Sequence, residues 1–164
     1  MAGAALTLTS DDFSDGGTMP NALVYSGMGF RGDNRSPSLH WTGVPAGTRS
    51  FALAMHDPDA PTTVGFTHWI LFDLDSGLTG LAAGAGTDER KPAGSTHGLN
   101  DYPETAYCGP APPPGAAHHY HFTLYALDVP KLEGAGSLLT YPRFRFMIRG
   151  HVLAEATLTG RFGQ

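Results

Sequence analysis

Apolar and polar residues alternate with a period of two along several short segments of the chain, which is the pattern of half-buried β-strands. These segments are residues 6–9, 38–41, 50–56, 67–74 and 118–127. Residues 50–56 are almost continuously apolar, which is typical of a strand covered on both faces. The segments are short and separated by Gly- and Pro-containing turns, so the pattern predicts a mostly β fold.

Residues 118–127 form the longest of the predicted strands, and alternation divides their side chains between two faces. His118 begins a set that changes from polar to apolar along the strand, as expected where a strand runs from a surface pocket into a core. The opposite set, which begins at His119, is the alternative inward face. Both assignments are open from the pattern alone.

The rest of the chain is less regular. Residues 19–36 predict a loop with one short strand at most, around Val24 and Tyr25. Residues 77–117 are rich in Gly, Pro and Ala without a period, which indicates functional or wrapping loops rather than a linker.

After Ser137, apolar residues recur at intervals of three to five, so we expect one or two short helices and then a strand at residues 157–162. Pro142 suits a helix start and Gly160 suits the position after a helix end. Residues 143–148 also alternate, so a strand is the alternative there.

Composition supports a folded domain and excludes some classes of function. The 22 glycines and 13 prolines are scattered among apolar segments, and 41% of residues are hydrophobic, so we expect a single domain over residues 1–164. The net charge is −5 and the ten Lys and Arg residues are dispersed, which argues against binding to nucleic acid.

Cellular location is expected to be cytoplasmic. Cys108 is the single cysteine, so no internal disulfide can form. The N-terminal Met1-Ala-Gly-Ala-Ala-Leu6 has no basic residue and a short apolar run, unlike a signal peptide. No apolar run approaches the length of a membrane span.

Polar residues with useful chemistry cluster where predicted strands begin or end. Asp57 and Asp59 follow one strand, His68 opens the next, and His118 and Tyr120 begin the longest one. If these strands are antiparallel neighbours, Asp57, His68, His118 and Tyr120 line one pocket at a sheet edge. Imidazoles and a phenol can donate hydrogen bonds to an oxyanion, and turn N–H groups in residues 109–115 could add donors.

Each of these residues also has a purely structural interpretation. The Asp57-Pro-Asp59 segment could simply cap a turn, and a histidine at a strand start is often half-buried without binding anything. A metal site is disfavoured because alternation places His118 and His119 on opposite faces. Cys108 lacks the surroundings of an activated nucleophile, and Asp57 and Asp59 are expected to point apart. We therefore predict no catalytic residue, no metal and no cofactor.

Several ordered motifs together resemble the phosphatidylethanolamine-binding protein family, in its bacterial Raf kinase inhibitor-like branch. They extend over roughly residues 6–162 and are Ser36-Pro-Ser-Leu-His-Trp41, Gly43-Val-Pro-Ala-Gly47, Asp57-Pro-Asp-Ala-Pro61, His68-Trp69, Gly98-Leu-Asn-Asp101, residues 107–114, His118-His-Tyr120 and Gly150-His-Val-Leu-Ala154.

The resemblance implies an antiparallel β-sandwich with short C-terminal helices and a small anion pocket. It places the following residues in or beside that pocket: Asp57, Asp59, Pro61, His68, Tyr107, Ala111, Pro113, His118 and Tyr120. It also implies a phosphate-bearing small molecule or lipid head group as ligand, and a homodimer. A protein inhibitor of a kinase or protease is the alternative function, and a hydrolase is a third.

This sequence departs from the family pattern at three positions. Cys108 stands where the bacterial pattern often has glycine, and Ala111 stands where eukaryotic relatives have a pocket-lining glycine. If Ala111 required a positive φ, the pocket rim would be strained or reshaped. Pro103 interrupts the usual Asn-Asp-Phe-Gly run. These departures bear on ligand preference.

Overall fold

The alternating segments form two antiparallel sheets in the computed structural model, which describes residues 3–164. Met1 and Ala2, at the start of the segment expected not to be a signal peptide, lie outside the described residues. In spatial order, the smaller sheet contains β1 (Thr7–Thr9), β2 (Leu39–Thr42) and β5 (Gly80–Leu81). The larger contains β6 (Thr96–His97), β4 (Phe66–Asp75), β3 (Ser50–Asp57), β7 (His118–Leu127) and β8 (Val152–Phe162). The predicted antiparallel, mostly β sandwich is confirmed.

Strand β3 occupies the middle of the larger sheet and is covered on both faces. It pairs with β4 on one side and β7 on the other. Phe51, Leu53 and Met55 pack into the core between the two sheets, whereas Ala52 and Ala54 pack into a second core beneath the helix α1 (Tyr141–Ile148). The two cores explain why this segment is apolar at nearly every position.

Strand β7 runs from a polar end into the core between the sheets. His118 is 8% exposed, while Tyr120, Phe122 and Leu124 are fully buried on the same face. His119 is exposed on the opposite face. The set beginning at His118 therefore faces inward, as the first of the two alternatives predicts.

The C-terminal region contains a single helix rather than two. Pro142 lies in the first turn of α1, and Phe144 and Ile148, one helical turn apart, are buried in the second core. The helix covers residues 143–148, so the alternative of a strand there is wrong. Exposed backbone after Ile148 turns sharply, since Gly150 has φ +83 and the His151 N–H donates to the Ile148 carbonyl.

Strand β8 begins at Val152, earlier than the predicted residue 157. It pairs with β7 from Leu127 back to His118, so long-range pairing determines its conformation rather than the helix-like spacing of its apolar residues. Gly160 lies inside this strand and not after a helix. A Cβ atom at residue 160 would lie 2.4 Å from Cγ of the buried Met19, so the close packing at this position favours glycine.

Two of the irregular segments differ in detail from prediction. The segment containing Val24 and Tyr25 follows a 3₁₀ turn at Asn21–Leu23 and is not a strand; the Tyr25 N–H donates to the carbonyl of Pro110, in another loop. Residues 77–117 are loops apart from the two-residue strands β5 and β6. Within residues 3–164, no helix is long and apolar enough to cross a membrane.

Candidate functional site

The polar ends of β3, β4 and β7 meet at one edge of the larger sheet. Asp57, the last residue of β3, pairs with Phe66, the first of β4. Nδ1 of His118 lies 2.7 Å from Oδ2 of Asp57, and the Asp59 N–H donates to Oδ1 of Asp57 at 2.8 Å. The buried Asp57 carboxylate thus joins the end of β3 to the start of β7.

A cavity of about 410 Å³ opens at this edge. Seven of the nine residues predicted for the pocket line it: Asp57, Pro61, His68, Ala111, Pro113, His118 and Tyr120. The remaining lining residues, which sequence reasoning missed, are Met28, Ala60, Thr62, Phe66, Asp101, Tyr102 and Pro112. The volume falls within the range of small-molecule sites in proteins.

Asp59 and Tyr107 were predicted in or beside the pocket but do not line this cavity. The Asp59 carboxylate is 41% exposed and accepts from the backbone N–H of His119 at 2.7 Å, with the His119 Nδ1 at 2.8 Å. Tyr107 is buried in the core between the sheets, and its hydroxyl donates to the Leu23 carbonyl at 2.7 Å. The Asp59 carboxylate connects the turn after β3 to the start of β7, and Tyr107 anchors a loop.

His68 is held in one orientation and one protonation state. Its Nδ1 lies 2.7 Å from the Cys108 carbonyl oxygen, so Nδ1 carries the hydrogen and donates it. Burial of the ring lowers the pKa of His68 to about 4, although the hydrogen bond to Cys108 opposes this shift. At neutral pH the imidazole is therefore uncharged, and its Nε2 carries a lone pair.

His118 follows the same arrangement with a different acceptor. Its Nδ1–H donates to the Asp57 carboxylate, which leaves Nε2 for other contacts. Three polar atoms here have no hydrogen-bond partner among the described residues: Nε2 of His68, Nε2 of His118 and the hydroxyl oxygen of Tyr120. All three belong to residues that line the cavity, and none is among the fully buried atoms without a partner. Three polar atoms are thus available to a ligand.

Aromatic rings form the walls around these atoms. The Tyr120 ring meets His68 edge-on, with centroids 5.2 Å apart, and lies nearly parallel to His118 at 6.4 Å. Tyr102 is 5.6 Å from His68 and 4.8 Å from Phe66. Burial raises the pKa of both tyrosines, so their hydroxyls are neutral donors at physiological pH.

Asn100, in the Gly98-Leu-Asn-Asp101 motif, positions the loop that carries Tyr102. Its side chain is buried; Nδ2 donates to the Ala106 carbonyl at 2.9 Å, and Oδ1 accepts from the N–H groups of Tyr102 and Glu104, each at 2.9 Å. One amide therefore shapes a turn that has no strand or helix pattern. Such side-chain-to-backbone bonds are the reason Asn favours turns.

The charged residues that line the cavity are both acidic. Asp57 is paired with His118, and Asp101 accepts from the Thr67 N–H at 2.7 Å. None of the lining residues is Lys or Arg. Any positive charge that the cavity offers to an anion must therefore come from a protonated imidazole.

The two unusual residues of the adjoining loop have clear structural roles. Ala111 is not among the residues with positive φ, so it fits the cavity rim without backbone strain. The Cys108 thiol is buried and donates to Oε2 of Glu104 at 3.1 Å. Burial, together with this hydrogen bond, raises the pKa of Cys108 to about 12, so it is not the thiolate that nucleophilic chemistry needs.

Metal binding finds no support in residue placement: across residues 3–164, no three His, Cys, Asp or Glu side chains lie together in a way that could hold a metal ion.

The fold and the cavity together define a β-sandwich protein with a ligand-sized, ring-lined cavity at one end of its larger sheet. A family model described as phosphatidylethanolamine-binding protein matches residues 9–163. The chain belongs to this family.

Similar proteins span almost the whole chain. UPF0098 protein YbhB of Escherichia coli is 40% identical over 161 residues, covering 96% of this chain and 99% of the relative. The crystal structure of E. coli YbcL has a TM-score of 0.94 at 35% identity, covering 98% of this chain and 99% of that one. A homologue from Chlamydia trachomatis has a TM-score of 0.83 at 34% identity, with 98% of each chain covered.

Proposed function

We propose that the chain is a non-enzymatic binding protein whose cavity takes a phosphate-bearing small molecule or lipid head group. One observation carries the proposal: the Nε2 atoms of His68 and His118 and the Tyr120 hydroxyl meet at one cavity and have no hydrogen-bond partner within residues 3–164. Both imidazoles are already oriented through Nδ1, so a ligand meets a preorganised set of groups. The name of the family, phosphatidylethanolamine-binding protein, agrees with this ligand class.

Proton transfer accompanies binding in this proposal. A neutral imidazole whose Nδ1 donates elsewhere, as in His68, can only accept at Nε2, and the dianion of a phosphate monoester has no hydrogen to give. Either the phosphate group binds as its protonated monoanion, or His68 gains a proton as the ligand enters. Both routes take up a proton where the free phosphate group is a dianion, and this proton reduces the repulsion between the ligand and the carboxylates of Asp57 and Asp101.

Several features favour binding without chemistry. In the described part of the chain, His68 and His118 are bonded to a carbonyl and a carboxylate, and neither contacts a hydroxyl or thiol that it could activate. The Thr62 hydroxyl, which lies in the cavity wall, donates instead to the Gly65 carbonyl at 2.5 Å. Cys108 is a hydrogen-bonded thiol. A hydrolase would need at least one nucleophile paired with a base.

Substitution of the two imidazoles should weaken ligand binding. We expect His68→Ala and His118→Ala each to reduce the affinity for phosphorylethanolamine at pH 6 by about tenfold or more, which corresponds to one lost charge-assisted hydrogen bond. Tyr120→Phe, which keeps the ring, should have a smaller effect. Calorimetric titration measures all three.

His119→Ala is the matched control for this experiment, because His119 neighbours His118 but lies exposed on the other face of the sheet. It should bind like the parent protein. Equal affinity of the parent, His68→Ala and His118→Ala proteins would refute the proposal, provided that circular dichroism shows all of them folded.

Net proton uptake gives a second, independent test. When methyl phosphate binds at pH 7.5, we expect uptake of about one proton per ligand, because the free ligand is mainly a dianion without a hydrogen, His68 is uncharged, and none of the residues that line the cavity is Lys or Arg. Titrations in two buffers of different ionisation enthalpy measure this number directly. Binding without proton uptake would contradict the proposed donor and acceptor assignment.

The inhibition of a kinase or protease, the homodimer and the cytoplasmic location remain predictions.

A further inference from the structure

A second cleft lies on the opposite face of the larger sheet, beside α1. Its volume is about 300 Å³. Tyr120 and Tyr125 lie on opposite faces of β7: Tyr120 faces the core between the sheets, and Tyr125 faces the core beneath α1. The second cleft lies on the same face as Tyr125. It shares no lining residue with the cavity at the sheet edge. The two sites are therefore separated by the sheet itself.

Arg145 is the permanent cation of this second cleft. Its Cζ lies 5.8 Å from the ring centroids of both Tyr125 and Tyr141, so the guanidinium is held against two aromatic faces. Nη1 donates to the Tyr141 hydroxyl at 3.1 Å. Tyr141 is in turn stacked on His56, with centroids 4.5 Å apart and planes 7° from parallel. A long flexible side chain is thereby given a defined position.

Most of the hydrogen-bonding capacity of Arg145 is unused. Among the described residues, Tyr141 is its only hydrogen-bond partner and no carboxylate lies within 4.0 Å. A guanidinium has five N–H donors in a planar fork that matches the two oxygens of a carboxylate. Thr123 and Thr157 also line the cleft, and their hydroxyl oxygens, 3.0 Å apart, can make further polar contacts with a ligand.

We propose that this cleft is a second binding site, for a small monocarboxylate held by Arg145. Charge selects the ligand class: Arg145 neutralises one negative charge, while Glu155 in the cleft wall repels a second. A planar carboxylate carries one charge and fits the guanidinium fork. The rings of Tyr125 and Tyr141 favour an acid that also has an apolar or aromatic part.

Benzoate is the probe that tests this site. Titrated into the full chain at pH 7 and followed by amide and histidine NMR, it should cause saturable shift changes at His56, His121 and Thr123. Arg145→Gln should weaken binding at least tenfold, and Arg145→Lys should be intermediate, because the charge remains but the fork is lost. Inorganic phosphate should bind this cleft more weakly than benzoate, and Glu155→Gln should reduce that difference.

Arg143→Gln is the matched control, since Arg143 is an exposed arginine on the same helix that does not line the cleft. It should bind benzoate like the parent. The proposal is overturned by an absence of saturable binding, by shift changes confined to His68 and Tyr120, or by equal affinity of Arg145→Gln and the parent. Arg145 is exposed and only covers the ring of Tyr125 from outside, so these variants are expected to fold.

Discussion

Gly109→Ala is expected to lower the free energy of unfolding by about 3 kcal/mol and to abolish ligand binding at the sheet-edge cavity. A Cβ at residue 109 would lie 2.0 Å from the Leu23 carbonyl oxygen and 2.9 Å from the Tyr25 nitrogen. Both are backbone atoms, so no side-chain rotation can relieve the contact. The loop around Gly109 and the segment at residues 23–25 would have to separate.

Separation of these segments would also disturb the cavity. The Gly109 N–H donates to Oδ1 of Asn34 at 2.8 Å, and the carbonyl of the preceding residue, Cys108, fixes the orientation of His68. Movement of the loop therefore removes the acceptor that determines which nitrogen of His68 faces the ligand. Urea denaturation measures the stability change, and titration with phosphorylethanolamine measures the loss of binding.

Gly136→Ala serves as the control for this prediction. Gly136 is not among the glycines with positive φ, and no heavy atom would lie within 4 Å of its Cβ. Its replacement should leave binding unchanged and raise stability by about 0.5 kcal/mol, through the reduced entropy of the unfolded chain. If Gly109→Ala were as stable as Gly136→Ala, the close approach of the two loops would not be a determinant of the fold.

The parts of the site that lie on strands could be predicted from the sequence. Alternation along β7 places His118 and Tyr120 on one face, and the end of the apolar run in β3 places Asp57 at the sheet edge. Antiparallel neighbours then bring these residues together with His68. Period-two patterning contains this information because it reports which face is buried.

The parts that lie on loops could not be predicted in this way. Tyr102 and Asp101 are placed by the hydrogen bonds of Asn100 with nearby backbone groups, and such bonds leave no period in the sequence. At the C-terminus the sequence contains a local pattern that is misleading. The apolar residues from Val152 onward have helix-like spacing, but pairing with β7 makes this segment a strand. Local patterns therefore predicted the strands of the site and missed the groups whose position depends on distant contacts.

Stability should fall as the pH drops from about 6.5 to about 4, with roughly 3 kcal/mol of the loss attributable to His68. Burial lowers the folded-state pKa of His68 to about 4, whereas the unfolded chain takes up this proton near 6.5. Between these values the unfolded state binds more protons, so acid favours unfolding. Above pH 6.5 His68 is neutral in both the folded and the unfolded state, so this loss of stability is absent there. Burial also lowers the pKa of His56 and His97, which adds to the same trend.

Comparison of the free energy of unfolding at pH 7 and pH 4.5 in the parent and in His68→Gln isolates this contribution. The glutamine does not titrate, so the variant should lose less stability than the parent between pH 7 and pH 4.5, and an equal loss would contradict the prediction. NMR titration of the folded protein should show His68 neutral down to pH 5, and titration near 6.5 would contradict the prediction. Because an uncharged His68 must gain a proton, or a protonated ligand, to bind phosphate, the burial that makes the fold acid-sensitive also makes binding dependent on pH.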